Sequence, residues 1–534
     1  MVGAVLLEFS LLFKRIRMLL IGPTFHPLFT CNAVAGVLLV LTAEHNGVRQ
    51  SASRQKTTPS SQEVKRDVEL ESILDLTAGV PPEFGAGALL RLAESTKITD
   101  PTMKANLLEK AFYLAESAQH PVKLVAMPGS LVDTRAGYLA EAFRLNLDRL
   151  SLQSRAVADL LQVDRKKGEK LFDQIRFPRL KPLGCEESLI YDPSAYYAML
   201  ASVAKDTPAA TGDSEKRVTA YLRPAVSEIS SHTQIPPVAR TLMSLNLPSA
   251  QLSNMTSFFA GSLERLQGDE RSFGVVATKY NALGELARLI SKLDGAGLPS
   301  AGLLEASRDY VVRNLRDTRC VDSNHGQKLS LPIAAADFNE LFGTALVSAK
   351  LNPIGSDELQ DYKSGPAAPF HPYWQSSPAK ELLVGIKKLR FGVGETPISL
   401  ADRSTSGWST QLNDFLADLE SWKPTNSEEL EDFFHEKCVL YVGLVDLIPP
   451  GSEQSKVIQS YVTFLELNSL EGTNRIEWFL HVDDLLARLS EKEKKQGETK
   501  VLESFRDSRD PTLNLYARVE IWLSPNAVLS RTAH

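Results

Sequence analysis

Residues 101–118 read PTMKANLLEKAFYLAESA, and this stretch decides the fold class. Apolar residues recur in it at spacings of three and four: Leu107, Ala111, Leu114, Ala115 and Ala118. That spacing is the period of a helix with one apolar side, and Asp100 and Pro101 fit its N-cap and first helical position. Because such a helix must bury its apolar side against another element, the stretch predicts helix-on-helix packing.

The same helical pattern dominates the chain on both sides of residues 101–118. The stretch 84–95 (FGAGALLRLAES) pairs with it as a helical hairpin, and similar short helices continue to residue 349. Paired short helices with tight connections resemble the architecture of stacked helical-repeat proteins. No fixed repeat length recurs, so we expect an all-α fold of irregular stacked helical hairpins, α-solenoid-like.

Residues 379–534 predict a C-terminal helical bundle. Four amphipathic helices joined by short turns follow one another there. Glu429 stands three residues after Asn426, and Glu477 three after Asn474, which is the spacing of a capping box at a helix start.

Residues 513–523 fit two secondary structures. Their apolar side chains alternate as in a strand, yet Leu515, Val519 and Leu523 also keep helical spacing. A lone strand would leave its backbone hydrogen-bonding groups unsatisfied, and no partner strand is evident. We therefore expect a helix.

Residues 1–43 predict a hydrophobic segment for membrane targeting or anchoring. Its charged residues are Glu8, Lys14, Arg15 and Arg17. The uncharged run 18–43 is long enough, at about 1.5 Å per helical residue, to cross the ~30 Å core of a bilayer. A basic cluster on its N-terminal side favours export of the chain that follows.

Several readings of residues 1–43 remain open. A secretory signal would be cleaved after Ala43, whereas an uncleaved signal-anchor must tolerate helix breakers such as Pro23. A lipoprotein site at Cys31 is weaker, because the residues before it are not small. A buried N-terminal helix of a cytosolic protein is the alternative to all three, and a start at Met18 would remove the basic cluster.

Residues 44–66 are polar and predict a disordered linker, because they cannot bury enough apolar surface to order themselves. The rest of the chain is expected to comprise a helical-repeat-like domain (67–180), a middle helical domain (181–350), a loop (351–378) and the C-terminal domain (379–534). The loop is rich in proline, glycine and aromatics, and we expect its run 370–374 (FHPYW) to pack onto the body. A hydrophobic segment before a flexible linker is typical of a protein that is periplasmic, or is anchored in the cytoplasmic membrane by that segment only.

Composition excludes several function classes. Among 534 residues the formal net charge is -6, and no basic stripe is interleaved with aromatics, so no nucleic acid partner is expected. Hydrophobic residues at 43% and charged residues at 23% are ordinary for a folded protein. Neither phosphate-binding glycine loop occurs, and we expect no cofactor.

The cysteines predict one disulfide. Cys185 and Cys320 lie in loop-like sequence and can pair in an oxidising compartment, whereas Cys438 lies within a helical pattern and is expected to be a buried apolar residue. Three unpaired thiols are the alternative.

Metal and catalytic signals are weak. Asp317, Asp322 and His325 flank Cys320 within nine residues and are candidate metal ligands, although a disulfide with solvated neighbours explains them better. His435, one helical turn from Cys438, is expected to face the core rather than to form a metal site. Catalytic residues cannot be assigned.

These features favour a non-catalytic extracytoplasmic scaffold of the cell envelope that binds a protein or peptide. One alternative is a helical hydrolase or lyase acting on an envelope polymer, with acids drawn from different helices. Another is a periplasmic binding module for an apolar small molecule.

Overall fold

A computed structural model describes the chain from residue 61 onward, with gaps. The described ranges are 61–126, 134–177, 179–184, 187–205, 212–266, 281–315, 318–321, 331–359, 363–367, 373–392, 396–399, 401–425, 429–468, 475–496 and 500–523. Over these residues the protein is all-α, as the helical period predicts. Residues 1–43, for which the sequence predicts membrane targeting, lie outside the described residues.

The helices are α1 (Ser61–Leu76), α2 (Pro82–Glu94), α3 (Pro101–Ala115), α4 (Arg135–Phe143), α5 (Arg149–Val163), α6 (Arg165–Phe172), α7 (Ser194–Lys205), α8 (Gly212–Ser227), α9 (Ile235–Ser244), α10 (Ser249–Arg265), α11 (Ala282–Gly295), α12 (Ala301–Leu315), α13 (Leu331–Ala349), α14 (Ser377–Phe391), α15 (Ser406–Ser421), α16 (Leu430–Leu447), α17 (Ser452–Leu467), α18 (Arg475–Gln496), α19 (Lys500–Arg506) and α20 (Pro511–Leu523). Short 3-10 turns lie at His232–Gln234, Ser356–Leu359 and Asp402–Ser404. α1 begins at Ser61, and the linker expected at residues 44–66 stays a prediction.

Two short strand pairs accompany the helices. β1 (Leu124–Val125) pairs antiparallel with β2 (Ile190–Tyr191). β3 (Thr318–Val321) pairs in parallel with β4 (Lys363–Ala367), so the 351–378 segment contains a strand that the sequence pattern did not indicate.

The N-terminal end of α3 confirms the capping prediction. The Asp100 carboxylate accepts hydrogen bonds from the backbone N–H groups of Thr102, at 3.0 Å, and Met103, at 3.3 Å. Pro101 occupies the first helical position, where no backbone donor is needed. Leu107 and Ala111 of the apolar stripe are buried.

Helices pack mainly against near neighbours in the chain. α2 packs on α3, α3 on α5, and α5 on α6 and α7. Farther along, α9 packs on α11, α10 on α12, and α12 on α13. An exception is α20, which packs on α2.

Residues 511–523 form the helix α20, which packs on α2. The Tyr516 hydroxyl of α20 donates a hydrogen bond to the Phe84 carbonyl of α2 at 3.0 Å. Asp510 accepts from the N–H of Leu513 at 3.0 Å and so caps the helix start. The expected helix is confirmed.

The chain divides into two compact units. One comprises Lys380–Lys423, Lys437–Tyr461 and the described residues up to Glu69; the other comprises the described residues of Leu70–Ala379, Pro424–Glu436 and Val462–His534. Within the first unit, the Lys437 ammonium donates to the carbonyls of Trp422, at 2.8 Å, and Glu420, at 3.3 Å, and so caps the end of α15. Burial lowers the pKa of Lys437 to about 8.

Among the described residues, no helix combines the length and the apolar character that crossing a membrane requires.

Candidate functional site

Titratable and aromatic side chains from four parts of the second unit, most of them buried, meet in one place. They come from α4, from the segment before α14, from the start of α16 and from α18. We call the following set the histidine cluster: Arg135, Tyr138, Tyr373, Trp374, Asp432, His435, Glu436, Glu477 and His481.

Local sequence places these side chains. Thr134 caps α4 by accepting from the Gly137 N–H at 3.1 Å, so the helix begins at Arg135 and Tyr138 follows about one turn later. α4 then packs on α18. His435 and His481 lie on the buried sides of α16 and α18, with 1% and 5% of their surface exposed.

A hydrogen bond joins the two histidines. Nδ1 of His435 lies 2.8 Å from Nε2 of His481, and Nε2 of His435 lies 3.8 Å from a Glu477 carboxylate oxygen. Burial lowers the pKa of His481 to about 3. Burial, and then the neighbouring imidazole, hold the pKa of His435 well below its usual range, so both rings are neutral at pH 7.

Aromatic rings enclose the histidine pair. Tyr138 stacks on His435 with centroids 4.9 Å apart and planes at 24°. Tyr373 meets the Tyr138 ring edge-on at 4.8 Å. Burial raises the pKa of Tyr373, and its phenol therefore stays protonated.

An arginine fork joins α4 to α16 beside the histidine pair. Nε and Nη2 of Arg135 donate to the two carboxylate oxygens of Asp432, at 2.7 and 2.9 Å. This charge-assisted bond is the main reason that the pKa of Arg135 is raised. Glu429 adds a second carboxylate at 3.9 Å.

Trp374 has a left-handed backbone, with φ of +65°, which is unusual for a bulky residue. Its backbone N–H donates to the Glu436 carboxylate, and its side chain is buried, as is that of Tyr373. For these two residues the predicted packing of the 370–374 run onto the body is confirmed. Residues 370–372 lie outside the described residues.

The histidine pair has the geometry of a hydrogen bond rather than of a metal site. Two nitrogens on one tetrahedral zinc ion lie about 3.3 Å apart, given bonds of roughly 2.0 Å. At 2.8 Å the two ring nitrogens share a hydrogen instead. Over the described part of the chain, no set of three or more histidine, cysteine or acidic side chains is arranged to hold a metal ion.

Two carboxyl groups meet across α2 and α5. Burial, and then the negative charge of Glu94, raise the pKa of Asp159 to about 6. Arg155 of α5 also forms a bidentate ion pair with Glu94. Sequence alone could not pair these acids, because they lie on different helices.

Most of the sequence-predicted site residues are outside the described residues: Cys185, Asp317, Asp322 and His325. Cys320 is described only as backbone, in β3. The disulfide and the metal ligands therefore stay predictions. Cys438 is an unpaired, fully buried thiol whose pKa is raised by burial, which confirms its expected place in the core.

The chain was compared with protein-family models and with curated proteins. Neither comparison finds a match.

Proposed function

We propose that this chain is a non-catalytic helical scaffold of the cell envelope that binds a protein or peptide partner. Its N-terminal segment holds it in or directs it across the cytoplasmic membrane, and stacked helical hairpins carry the binding surface. α-solenoid-like arrays of this kind present long continuous surfaces, because each hairpin contacts only its neighbours.

The exposed side of α13 supports this proposal. Val347 is 80% exposed and Leu341 47%, which is high for large apolar side chains. Ala336 and Thr344 are exposed on the same side of α13 as Val347, with Glu340 as a charged neighbour, and Leu341 lies roughly 120° around the helix axis from Val347. Apolar surface with few charges is typical of protein-binding sites.

The histidine cluster also favours a structural role over catalysis. Asp432 is held by Arg135, Glu436 accepts from a backbone N–H, and the two histidines bond to each other. Catalytic acids and bases must instead reach a substrate. Here burial places the two imidazoles among protein groups.

Site-specific photocrosslinking in membranes from cells that produce the full chain tests the partner. A photoreactive residue at Val347 is expected to give one adduct of defined mass, and the same residue at the exposed Lys166 of α6 is the matched control. Val347→Lys should abolish crosslinking from position 341, because a charge on the apolar surface opposes docking. Equal adducts at 347 and 166, or none at 347, would contradict the proposal.

A reporter fused after residue 66 tests export. Replacing Lys14, Arg15 and Arg17 by glutamate should retain the reporter in the cytoplasm, because the basic cluster sets the orientation of the segment. The matched control replaces the same residues by other basic ones, which should leave translocation intact. Unchanged translocation of the acidic variant would refute the targeting role.

A further inference from the structure

The histidine pair lies where α4 is fastened to the rest of the second unit. α4 packs on α18, which carries His481. From α4, Tyr138 covers the His435 ring at 4.9 Å and lies 6.4 Å from that of His481. Any change in the pair therefore acts directly on the surface against which α4 packs.

The neighbours of the pair select its tautomers. The Glu477 carboxylate can only accept, and it faces Nε2 of His435. With Glu477 against Nε2 of His435 and the two rings joined through Nδ1 of His435, we place a hydrogen on Nε2 of both rings. His481 then donates through Nε2 to Nδ1 of His435, and the Nε2 hydrogen of His435 points at Glu477.

Adding a proton disrupts this arrangement at either ring. A proton on His435 must go to Nδ1, so His481 must move its own hydrogen from Nε2 to Nδ1 and accept the bond instead, and the cation stays in a ring that is 1% exposed. A proton on His481 must go to its Nδ1 and leaves a cation in a fully buried ring. A buried charge is strongly unfavourable unless it is both paired and hydrogen-bonded, and the Glu477 carboxylate, at 3.8 Å, makes no hydrogen bond to His435.

Other charged and titratable groups face the pair from each surrounding element. They are Arg135 from α4, Tyr373 from the segment before α14, Asp432 and Glu436 from α16, and Glu477 from α18. Arg135 and Asp432 neutralise each other, and Glu436 is bonded to the Trp374 backbone. Of these acids, Glu477 is the one placed against a ring nitrogen of the pair, at 3.8 Å.

We propose that the His435–His481 pair is an acid-sensitive lock on α4. At neutral pH both rings are uncharged, the hydrogen bond between them forms, and α4 stays packed over the pair, which is the closed form. As the pH falls below about 6.5, the ordinary pKa of a solvated histidine, the open form gains protons that the closed form cannot accept. The packing of α4 on the pair then weakens, and Tyr138 and Tyr373 become exposed to solvent. The lock depends only on these contacts, so its test does not require that the chain is exported.

Hydrogen–deuterium exchange on the full chain tests the lock. The exchange rates are compared at pH 7.5 and pH 5.5 after correction for the pH dependence of intrinsic exchange. Over this range, uptake of one proton by a histidine ring in the open form raises the equilibrium constant for opening of α4 about tenfold. Uptake of two protons, one by each ring, raises it about a hundredfold. We expect exchange in residues 135–143 to rise at least tenfold, and exchange in residues 301–315 of α12 to stay constant. A smaller rise in 135–143, or an equal rise in both, would overturn the proposal.

The double variant His435→Gln, His481→Gln provides the matched control. Two amides can bond to each other without titrating, so the acid response of residues 135–143 should disappear. If exchange in residues 135–143 still rises at low pH in this variant, the histidine pair is not the acid-sensitive element and the proposal is wrong.

A second measurement needs no variant that folds. In the wild type labelled with nitrogen-15 at histidine, two buried rings should be neutral at pH 6, each with its hydrogen on Nε2. An imidazolium signal from either ring of the folded protein at that pH would equally exclude the lock.

Discussion

Asp148 shows how one residue can serve local structure and oppose global stability. Its carboxylate caps α5 by accepting from the Ser151 N–H at 3.0 Å, yet the side chain is buried. Burial raises the pKa of Asp148 to about 6, although the hydrogen bonds with Ser151 act in the opposite direction. The folded chain therefore holds this proton more tightly than the unfolded chain, whose aspartates titrate near 3.9.

We expect Asp148→Asn to stabilise the protein at neutral pH. Since the folded-state pKa is raised, the cost of the charge is absent below about pH 4, grows between pH 4 and 6, and is constant above. Asparagine caps a helix without this charge, so the free energy of unfolding at pH 7 should rise by about 1–2 kcal/mol, and by less at pH 4.5. Urea unfolding at both pH values measures the difference.

Asp148→Ala is the matched control for the cap. It removes the charge and the hydrogen-bond acceptor together, so it lacks the roughly 1 kcal/mol contributed by an N-cap. It should be less stable than Asp148→Asn at both pH values. An asparagine variant that unfolds more easily than the wild type at pH 7 would show that the carboxylate is ionised without penalty.

At the scale of the helix, two C-terminal ends share one geometry with different residues. After α11 the Leu298 N–H donates to the Leu293 carbonyl at 2.9 Å, and Gly297 between them has φ of +66°. After α13 the Leu351 N–H donates to the Leu346 carbonyl at 2.9 Å, but there the left-handed position is occupied by Lys350, with φ of +57°. This geometry favours glycine because a β-carbon is strained in it.

The two ends predict opposite effects of glycine. Lys350→Gly should raise the free energy of unfolding by about 0.5–1 kcal/mol, because it relieves the left-handed lysine. Gly297→Ala should lower it by about 1 kcal/mol, and since no atom lies within 4 Å of the added β-carbon, the loss is conformational. Urea midpoints measure both changes. Lys350→Ala, which keeps the β-carbon, is the control, and a gain there equal to that of glycine would disprove the reasoning.

At the scale of the whole molecule, the last described helix closes on one of the first. α20 packs on α2, and the hydrogen bond from Tyr516 to Phe84 spans 432 residues of chain. Arg91 of α2 forms an ion pair with Glu520 of α20. The stability of the hairpin of α2 and α3 therefore depends on residues 432 positions farther along the chain.

Removing α20 should loosen α2 more than the helices farther along the chain. For a chain ending at residue 509, we expect hydrogen exchange in residues 82–94 to rise at least tenfold, because the buried side of α2 becomes exposed to solvent. A chain ending at Leu523 keeps α20 and is the matched control. Exchange in 82–94 that is equal in the two truncated chains would show that α2 does not need α20.

Periodicity and capping chemistry allowed much of the secondary structure to be predicted. Asp100 and Pro101 define the start of α3, since capping uses residues adjacent in sequence. The strand-like alternation of 513–523 belongs to a helix, as expected because an isolated strand has no hydrogen-bond partner. The strand β4 was missed, because its partner β3 is more than forty residues away in the sequence.

The sequence by itself determined that this chain is helical, because the helical period and the caps depend on residues within a few positions of one another. Only the tertiary structure decided which polar side chains meet. His435, His481 and Tyr138 lie on three helices, and nothing in the spacing of any one helix indicates the hydrogen bond between the two rings. Burial decides the charge state of such a pair, and burial is a property of the packed helices rather than of the sequence pattern.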